Sequence, residues 1–477
     1  MKQNLRTFLK QLDDNCPEQI AHVHKEVDPK YEIASLVRAH QDEGQRGRHV
    51  ANYPLIHVER GNVKGYPEWE VVTNVLATRQ RLAEALQTTP DNLLWKYLER
   101  REKLLDYNIV SKGAVQDVVK KGKDADLNSL PLLTHTPEEP APFMDAEVFV
   151  VWDSENERHN CGIYRMMRKQ DENGAYKTGL FLARGTHAYS ILSQAEAKDE
   201  PLPFAAYVGH HPAAIMGCQV HTVEDEYKAI GGVLGEPMDL VKCKTNDLLV
   251  PADAELVVEG VIQPHVREKE GPFCEFTYLL GKERESPVCE VTAITHRKDP
   301  IYYDVYNPYI DHLMHGALPM ETDVYRKAKD AVSQVMDVHL PPECSKFVAI
   351  VQVRNEYPGV GKQAAIAASS GKYFMKYVVV VDEEQDPYDM HDIWWAMAMK
   401  CRPDRDINFI KDAYIECLDP IGTDGRGWPY TGGGVDTRVF IDATKPLDVD
   451  YPPHCEPPAE IWQNMDLDEY IRGRKSS

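Results

Sequence analysis

The chain has 477 residues, 43% of them hydrophobic and 27% charged, and carries a formal charge of −22. That length exceeds what one core usually supports, so two or three domains are expected. The negative balance argues against a protein that grips a phosphate backbone, so no nucleic-acid partner is expected. An anionic small molecule stays compatible with it, because a local Arg or Lys reverses the field inside a cleft.

Ten cysteines are scattered with no CxxC pair, which reads as reduced thiols rather than a disulfide framework. The opening "MKQNLRTFLKQLDDNCPEQ" has Leu5, Phe8, Leu9 and Leu12 on one helical face and no continuous apolar core, so it predicts a helix over 3–12 rather than a signal peptide. No run approaches eighteen apolar residues, so no membrane span is expected and a cytoplasmic location is.

Short strands follow in "HVHKEVDP" and "ANYPLIHVERGNV". "PEWEVVTNVLATRQRLAEALQT" gives a strand and a helix, and "DNLLWKYLERREKLL" a further helix with Asp91 as its N-cap. These make an N-terminal α/β unit over 1–125, ending in the polar, then Pro-rich stretch 120–144. Beyond it, "AEVFVVWD", "NCGIYRMMRK", "TGLFLA", "FAAYVG", "MDLVKCKTNDLLVPADAELVVEGVI", "PVCEVTAITHR" and "IYYDVY" are strand-sized and rich in β-branched and aromatic residues. A mostly antiparallel barrel or sandwich over 126–318 fits them, interrupted by helices at "AYSILSQAEAK" and "EDEYKAIGGVLG". From 319 to 477 the pattern returns to α/β: helices at "TDVYRKAKDAVSQVM" and "MHDIWWAMAMKC", and buried parallel strands at "FVAIVQV" and "YVVVVDE". The tail "YPPHCEPPAEIWQNMDLDEYI" is Pro-rich, then briefly helical, as suits an arm docking on a neighbour.

Chemistry concentrates in "REKEGPFCEFTY", 267–278, where Glu270 and Glu275 flank a Gly-Pro bend. Two readings stand. The pair is a solvated turn, or a proton-handling pair in which one acid stays protonated because the other is near. In "HNCGIYRMMRK" Asn160 and Arg165 flank a stretch whose Gly162-Ile163 centre lets backbone approach a ligand. "RGTHAYSI" sets His187 before an apolar helix, and "VEDEYKAIGG" puts Glu226 on a helix running into Gly231-Gly232. Each has a plain structural reading alone: an ion pair, a capping histidine, a turn asparagine, a solvated glutamate.

Taken in this order, they resemble the UbiD family of prenylated-FMN-dependent (de)carboxylases, near its hydroxybenzoate branch through "GIYRM". The resemblance runs along nearly the whole chain, through "HPAAIMG", "GEPMDLVKCKTNDLLVPADAELVVEG" and "VVVVDEEQDPYDMHDIWWAMAMKCRP". It implies an α/β and β multidomain architecture: an N-terminal α/β unit, a central split β-barrel of flavin-reductase type carrying the cofactor, and a C-terminal α/β domain that makes a homodimer or homohexamer. It implies catalysis by Arg165, Glu270 and Glu275. It further implies that Asn160, His187 and Glu226 hold a manganese-like divalent ion on the cofactor phosphate, with potassium nearby. Glu224 also stands close, and the match to "EYKAIGGVLG" favours Glu226.

By the same resemblance Cys161, Gly162, Ile163, Tyr164 and Arg165 line the flavin, and Thr186, Cys218, Gln219 and Val220 the phosphate and prenyl ends. A lysine contact near Ser370 or Lys372 is left open. Cys274 stands where relatives commonly carry Gly, which narrows the pocket beside the acid. Trp394, Trp395, Trp428 and Tyr430 are candidates to flank it, with core or interface positions the alternative for most of them. The implied reaction is reversible, non-oxidative decarboxylation of an aromatic acid, hydroxybenzoate-like or heteroaromatic, or of an α,β-unsaturated acid, through a covalent adduct with the prenylated flavin. Arg165 orients the carboxylate and Glu275 donates the proton, while a flavin prenyltransferase supplies the cofactor. A flavin-independent metal hydrolase and a catalytically silent subunit are the alternatives. The hydrolase gives Arg165 no task, and retention of Arg165, Glu270 and Glu275 argues against the silent subunit.

Overall fold

The computed structural model of the chain describes residues 2–46, 53–308, 310–371, 375–415, 418–421, 434–453, 455 and 457–470. The first helix, Leu5–Asn15, buries Leu5, Phe8, Leu9 and Leu12, the spacing that places one apolar stripe on a core. Asn4 caps it: its side chain accepts from the Thr7 N–H while Thr7 Oγ1 accepts from the Asn4 N–H. A helix at Glu32–Arg46 adds to the expected elements. The helix expected from Asp91 begins instead at Leu93, because Pro90 opens a 3₁₀ turn over Pro90–Asn92.

Three N-terminal strands, Ile20–Val23, Leu55–Val58 and Glu70–Thr73, form a sheet whose fourth strand is Ile301–Tyr303, paired parallel to Glu70–Thr73. The central sheet has nine strands, and its pairings are antiparallel throughout. Its path runs Phe143–Met144, Met166–Asp171, Gly174–Leu180, Arg284–His296, Leu256–Glu270, Leu202–Val208, Val148–Asp153, Arg158–Ile163. Val118–Lys121 also pairs with Arg284–His296, so a segment ahead of residue 125 lies on this sheet.

The C-terminal sheet is mixed: Val348–Val353, Tyr377–Asp382 and Gly434–Asp442 run parallel, with Val335–His339 and Ile407–Ile415 antiparallel at the edges. Tyr377–Asp382 is covered on both faces. Val378 and Val380 join the main core, while Val379 and Val381 join a second cluster with Ile393 and Ala396 of the Met390–Met399 helix. A period-two strand buried on both sides reads as a continuous apolar run, as "VVVV" does. The helix expected over "TDVYRKAKDAVSQVM" starts twelve residues earlier, at Ile310, and ends at Ala331 with Pro319 inside it. Proline usually marks a stop. Here Thr322 Oγ1 donates to the Pro319 carbonyl, and Leu318 and Pro319 themselves are buried against the core. Among the described residues no helix is long and apolar enough to cross a membrane.

Candidate active site

The long strand Leu256–Glu270 pairs with Arg284–His296 until Glu270 stands opposite Arg284. Gly271, at φ +85°, then turns the chain, and any side chain there would press on the Lys282 carbonyl. The connection folds back on itself through Glu275 N–H to Leu279 O and Gly281 N–H to Phe273 O. This brings Glu275 beside Glu270. Arg165 lies just past the Arg158–Ile163 strand and meets both acids: Nε donates to Glu270 Oε1 at 2.9 Å, Nη2 to Glu270 Oε2 at 3.4 Å and Nη1 to Glu275 Oε1 at 2.5 Å. All three side chains are buried.

Burial works against the charge of Arg165, but Glu275 and Glu270 outweigh it and hold the guanidinium above its ordinary pKa. The planar group is also clamped between rings, 4.4 Å from the Phe273 centroid and 4.6 Å from that of Phe181. Arg284 also lies over the Phe181 ring, 3.8 Å from its centroid, with Nε 3.7 Å from Glu270 Oε2. Two guanidiniums and two carboxylates sum to zero when both acids are ionised. With one acid protonated the cluster is +1, a charge that suits an anion. Cys274, between the acids, is buried; burial first, then the charges of Glu139 and Glu275, push its thiol up to about 12. It stays neutral beside Glu275 and is no nucleophile at ordinary pH.

A second cluster begins five residues upstream of Arg165, on the Arg158–Ile163 strand. Asn160 Nδ2 donates to both oxygens of Glu226, at 2.9 and 3.0 Å, the Cys161 N–H donates to Glu226 Oε2 at 2.5 Å, and His187 Nδ1 lies 3.4 Å from Glu226 Oε1. His187 and Glu226 are each the first residue of a helix, His187–Ala197 and Glu226–Leu234, capped by Thr186 and Asp225. Two helix N-termini thus meet at one point, the polarity that favours an anion such as phosphate. Glu224 stays outside, its side chain half exposed and 3.9 Å from Lys228. Asn160 Oδ1 is buried with no hydrogen-bond partner. An orphaned oxygen beside a carboxylate and an imidazole is a donor set that fits a hard divalent ion.

The remaining predicted residues spread around these two clusters. Cys161 is buried and its thiol neighbours Tyr227, so its contribution to the site is its N–H. Gly162 and Ile163 are partly exposed, and the Tyr164 hydroxyl stands against Thr186 and the Ala188 backbone. Cys218 and Val220 are buried, and Gln219 donates to the His315 carbonyl at 2.7 Å. Trp394 and Trp395 lie on the exposed face of the Met390–Met399 helix, whose buried residues are Ile393 and Ala396. Lys372, Trp428 and Tyr430 lie outside the described residues. Sequence reasoning did not find Phe181 or Arg284. Both reach the site through strand register, and only the opposition of Glu270 and Arg284 in the hairpin would have signalled the second.

A buried arginine holding two acids and, five residues upstream, a donor set that fits an ion and an anion are features of an enzyme site. The chain matches the 3-octaprenyl-4-hydroxybenzoate carboxy-lyase profiles in three parts: the N-terminal domain over residues 16–101, the Rift-related domain over 108–309 and the C-terminal domain over 313–443. It belongs to that family, the UbiD class, and is a carboxy-lyase.

It is 30% identical to a phenolic acid decarboxylase of Sedimentibacter hydroxybenzoicus, covering 95% of this chain and 93% of that one. It is 29% identical to an anhydromevalonate phosphate decarboxylase of Methanothermobacter thermautotrophicus, covering 93% and 97%. The structure of the UbiD-class enzyme HmfF from Pelotomaculum thermopropionicum in complex with FMN superposes with a TM-score of 0.87 at 32% identity, covering 98% of this chain and 100% of that one. An evolved dimeric form of HmfF, in complex with prFMN, gives 0.84 at 30% identity over 98% and 100%.

Proposed function

We propose that the chain removes CO2 from an aromatic or α,β-unsaturated carboxylic acid with prenylated FMN as cofactor. The observation that carries this reading is the buried Arg165 shared by Glu270 and Glu275. The prFMN complex of the HmfF relative supports the cofactor. When bound, the prenylated flavin supplies the electron sink that no side chain offers to the carbanion left by departing CO2.

The chain's own residues do the rest. Asn160, His187 and Glu226 would hold a divalent ion, manganese in our reading, that would neutralise the charge of the cofactor phosphate, and a potassium ion would accompany it. The Arg158–Ile163 strand, Tyr164 and Arg165 line the flavin, and Thr186 with Cys218, Gln219 and Val220 line its phosphate and prenyl ends. Arg165 orients the substrate carboxylate through a planar, permanently charged fork. To free that fork one acid must let go. Glu270 is doubly held and sits on a regular strand, whereas Glu275 has one contact and sits on a connection. Glu275 is therefore the proton donor to the vacated carbon, and Glu270 keeps Arg165 in place and relays protons. The rings of Phe181 and Phe273 exclude water from the guanidinium, which strengthens its pull on the carboxylate.

The same reading takes the central sheet as a split barrel and keeps three units ending near 125 and 318, with Val118–Lys121 lent to the central sheet. It makes the chain a cytoplasmic homodimer or homohexamer joined through the C-terminal unit, where Phe409 and Trp394 stand exposed, and makes a flavin prenyltransferase its cofactor source.

The test is released CO2 from protein co-expressed with a flavin prenyltransferase and offered a panel of aromatic and acrylic acids. Turnover of at least one class is the expected result. Flavin-loaded protein that releases CO2 from none of them contradicts the reading.

A further inference from the structure

A polar cleft of about 450 Å³ shares no lining residue with either cluster. Asp28, Lys30, Lys64 and Tyr66 line it from the start of the chain, and Glu139 and Arg168 from the middle. Backbone bonds fix its walls: the Tyr31 N–H donates to the Thr134 carbonyl at 3.0 Å, the Thr134 N–H to the Pro29 carbonyl at 3.3 Å and the Arg168 N–H to the Pro142 carbonyl at 3.0 Å. Met167 packs against Phe143 and Phe273, and side chains alternate along a strand, so Arg168 faces the other way, into the cleft. Among the described residues nothing accepts a hydrogen bond from its guanidinium, and its Nε is buried. Glu139, only 5% exposed, is the other incompletely satisfied group. Its Oε2 accepts from the His135 and Thr136 N–H groups, at 2.8 and 3.4 Å, while its Oε1 is buried with no partner.

The charges do not balance. Asp28 is already committed: Oδ1 accepts from the Lys30 N–H at 2.8 Å and Oδ2 pairs with Lys64 Nζ at 2.9 Å, so Asp28 and Lys64 sum to zero. Lys30 Nζ lies 5.2 Å from the Tyr31 ring centre and has no carboxylate partner among the described residues. Burial holds the Glu139 carboxyl above its ordinary range. Arg168 and Lys30 thus leave the cleft at +2 with Glu139 protonated and at +1 with it ionised. In a chain whose net charge is −22, two cations left without counter-charge in one cleft point to an anion. The floor of the cleft is also the back of the catalytic wall. Ala141 packs against Phe143, Met167 and Phe273, the Phe143 and Phe273 rings stand 4.7 Å apart, and Phe273 clamps Arg165. The Glu139 carboxyl further takes the N–H of Cys274, the residue before Glu275.

We propose that this cleft is a second anion site, for a dianionic phosphate group either free or carried by a small ester, and that its ligand steadies the connection bearing Glu275. The planar fork of Arg168 takes two phosphate oxygens, and the Lys30 ammonium neutralises the second charge. Tyr66 and Pro140 offer an apolar wall to the carbon body of an ester. A ligand on Arg168 and against Glu139 ties down the Pro140–Phe143 stretch and the Cys274 backbone together, which couples the cleft to the acid on the next residue. The site goes beyond the decarboxylase reading and does not rest on it.

The full chain, co-expressed with a flavin prenyltransferase, is titrated by calorimetry with inorganic phosphate, glycerol 3-phosphate and acetate. Hydrogen exchange over residues 271–283 is followed with and without each phosphate. The wild type binds at least one of the phosphates more tightly than acetate. Arg168→Met weakens that binding about thirtyfold, the loss expected for a charged hydrogen bond, and Arg168→Lys restores part of it. The Asn160 cluster is intact in both variants, so the difference belongs to the cleft. Lys30→Met, at an exposed position, weakens phosphate about fivefold without lowering the melting temperature. Tighter binding of the ester identifies an organic phosphate, and equal binding identifies free phosphate. Exchange over 271–283 slows when the phosphate binds the wild type and does not change in Arg168→Met. Acetate bound as tightly as either phosphate, or a phosphate affinity that survives Arg168→Met, overturns the site. Exchange that bound phosphate leaves unchanged in the wild type overturns the coupling.

Discussion

Glu270 accepts from Arg165 at two atoms, 2.9 Å from Nε and 3.4 Å from Nη2, while being fully buried at the end of a strand. A pair taken out of water this way gains little over an apolar pair, but breaking it leaves an uncompensated buried charge. Arg165→Met should therefore lower stability by about 3 kcal/mol as well as abolish turnover. Denaturant unfolding of the purified variant checks the first part and CO2 release the second.

The two acids should not be equivalent. Glu270→Gln keeps a hydrogen-bonding partner for Arg165 and should reduce kcat by about a hundredfold, the range for a residue that tunes proton transfer. The comparison is steady-state CO2 release from flavin-loaded samples of equal absorbance. A rate equal to wild type would remove Glu270 from the proton path.

Glu226 collects hydrogen bonds from Asn160 and the Cys161 N–H and lies beside His187, which is why we propose it as the centre of the ion site. Glu226→Ala should purify with little metal and little flavin, while Glu224→Ala, at a half-exposed position, should purify with both. Metal analysis and the flavin absorbance band of the two proteins decide this. Equal content in both would shift the ligand role away from Glu226.

Away from the site, His135 is buried between Asp304, 3.1 Å from Nε2, and Asp145, 3.8 Å from Nδ1, and joins three parts of the chain because Asp304 also accepts from Thr73. Burial opposes its charge, but Asp304 and then Asp145 raise it to about 10. A raised pKa contributes stability that is complete below the ordinary value of 6.5 and fades as pH rises through about 10. His135→Gln should cost about 3 kcal/mol near neutral pH, and the gap to wild type should close in strongly alkaline buffer. Denaturation midpoints at the two pH extremes measure it.

What the sequence made legible was local. The spacing of Leu5, Phe8, Leu9 and Leu12, the apolar run at 378–381 and the E-x4-E bend each announce their surroundings, because periodicity and turn chemistry act over a few residues. What stayed hidden depended on partners far along the chain. Ile301–Tyr303 closes a sheet begun near residue 20, Arg284 reaches Glu270 through hairpin register, and Lys346 meets Phe276 from far along the chain. Pro319 hid the start of the Ile310–Ala331 helix, since tertiary burial there overrides the local stop signal.

The most direct test of the account is the turnover of Glu275→Gln in protein loaded with prenylated flavin. The variant keeps a hydrogen-bonding partner for Arg165 and has no acidic proton to return to the substrate carbon. The predicted result is a normal flavin spectrum with CO2 release lower by about a thousandfold. Release at the wild-type rate from that same sample would contradict the assignment of Glu275 as the proton donor.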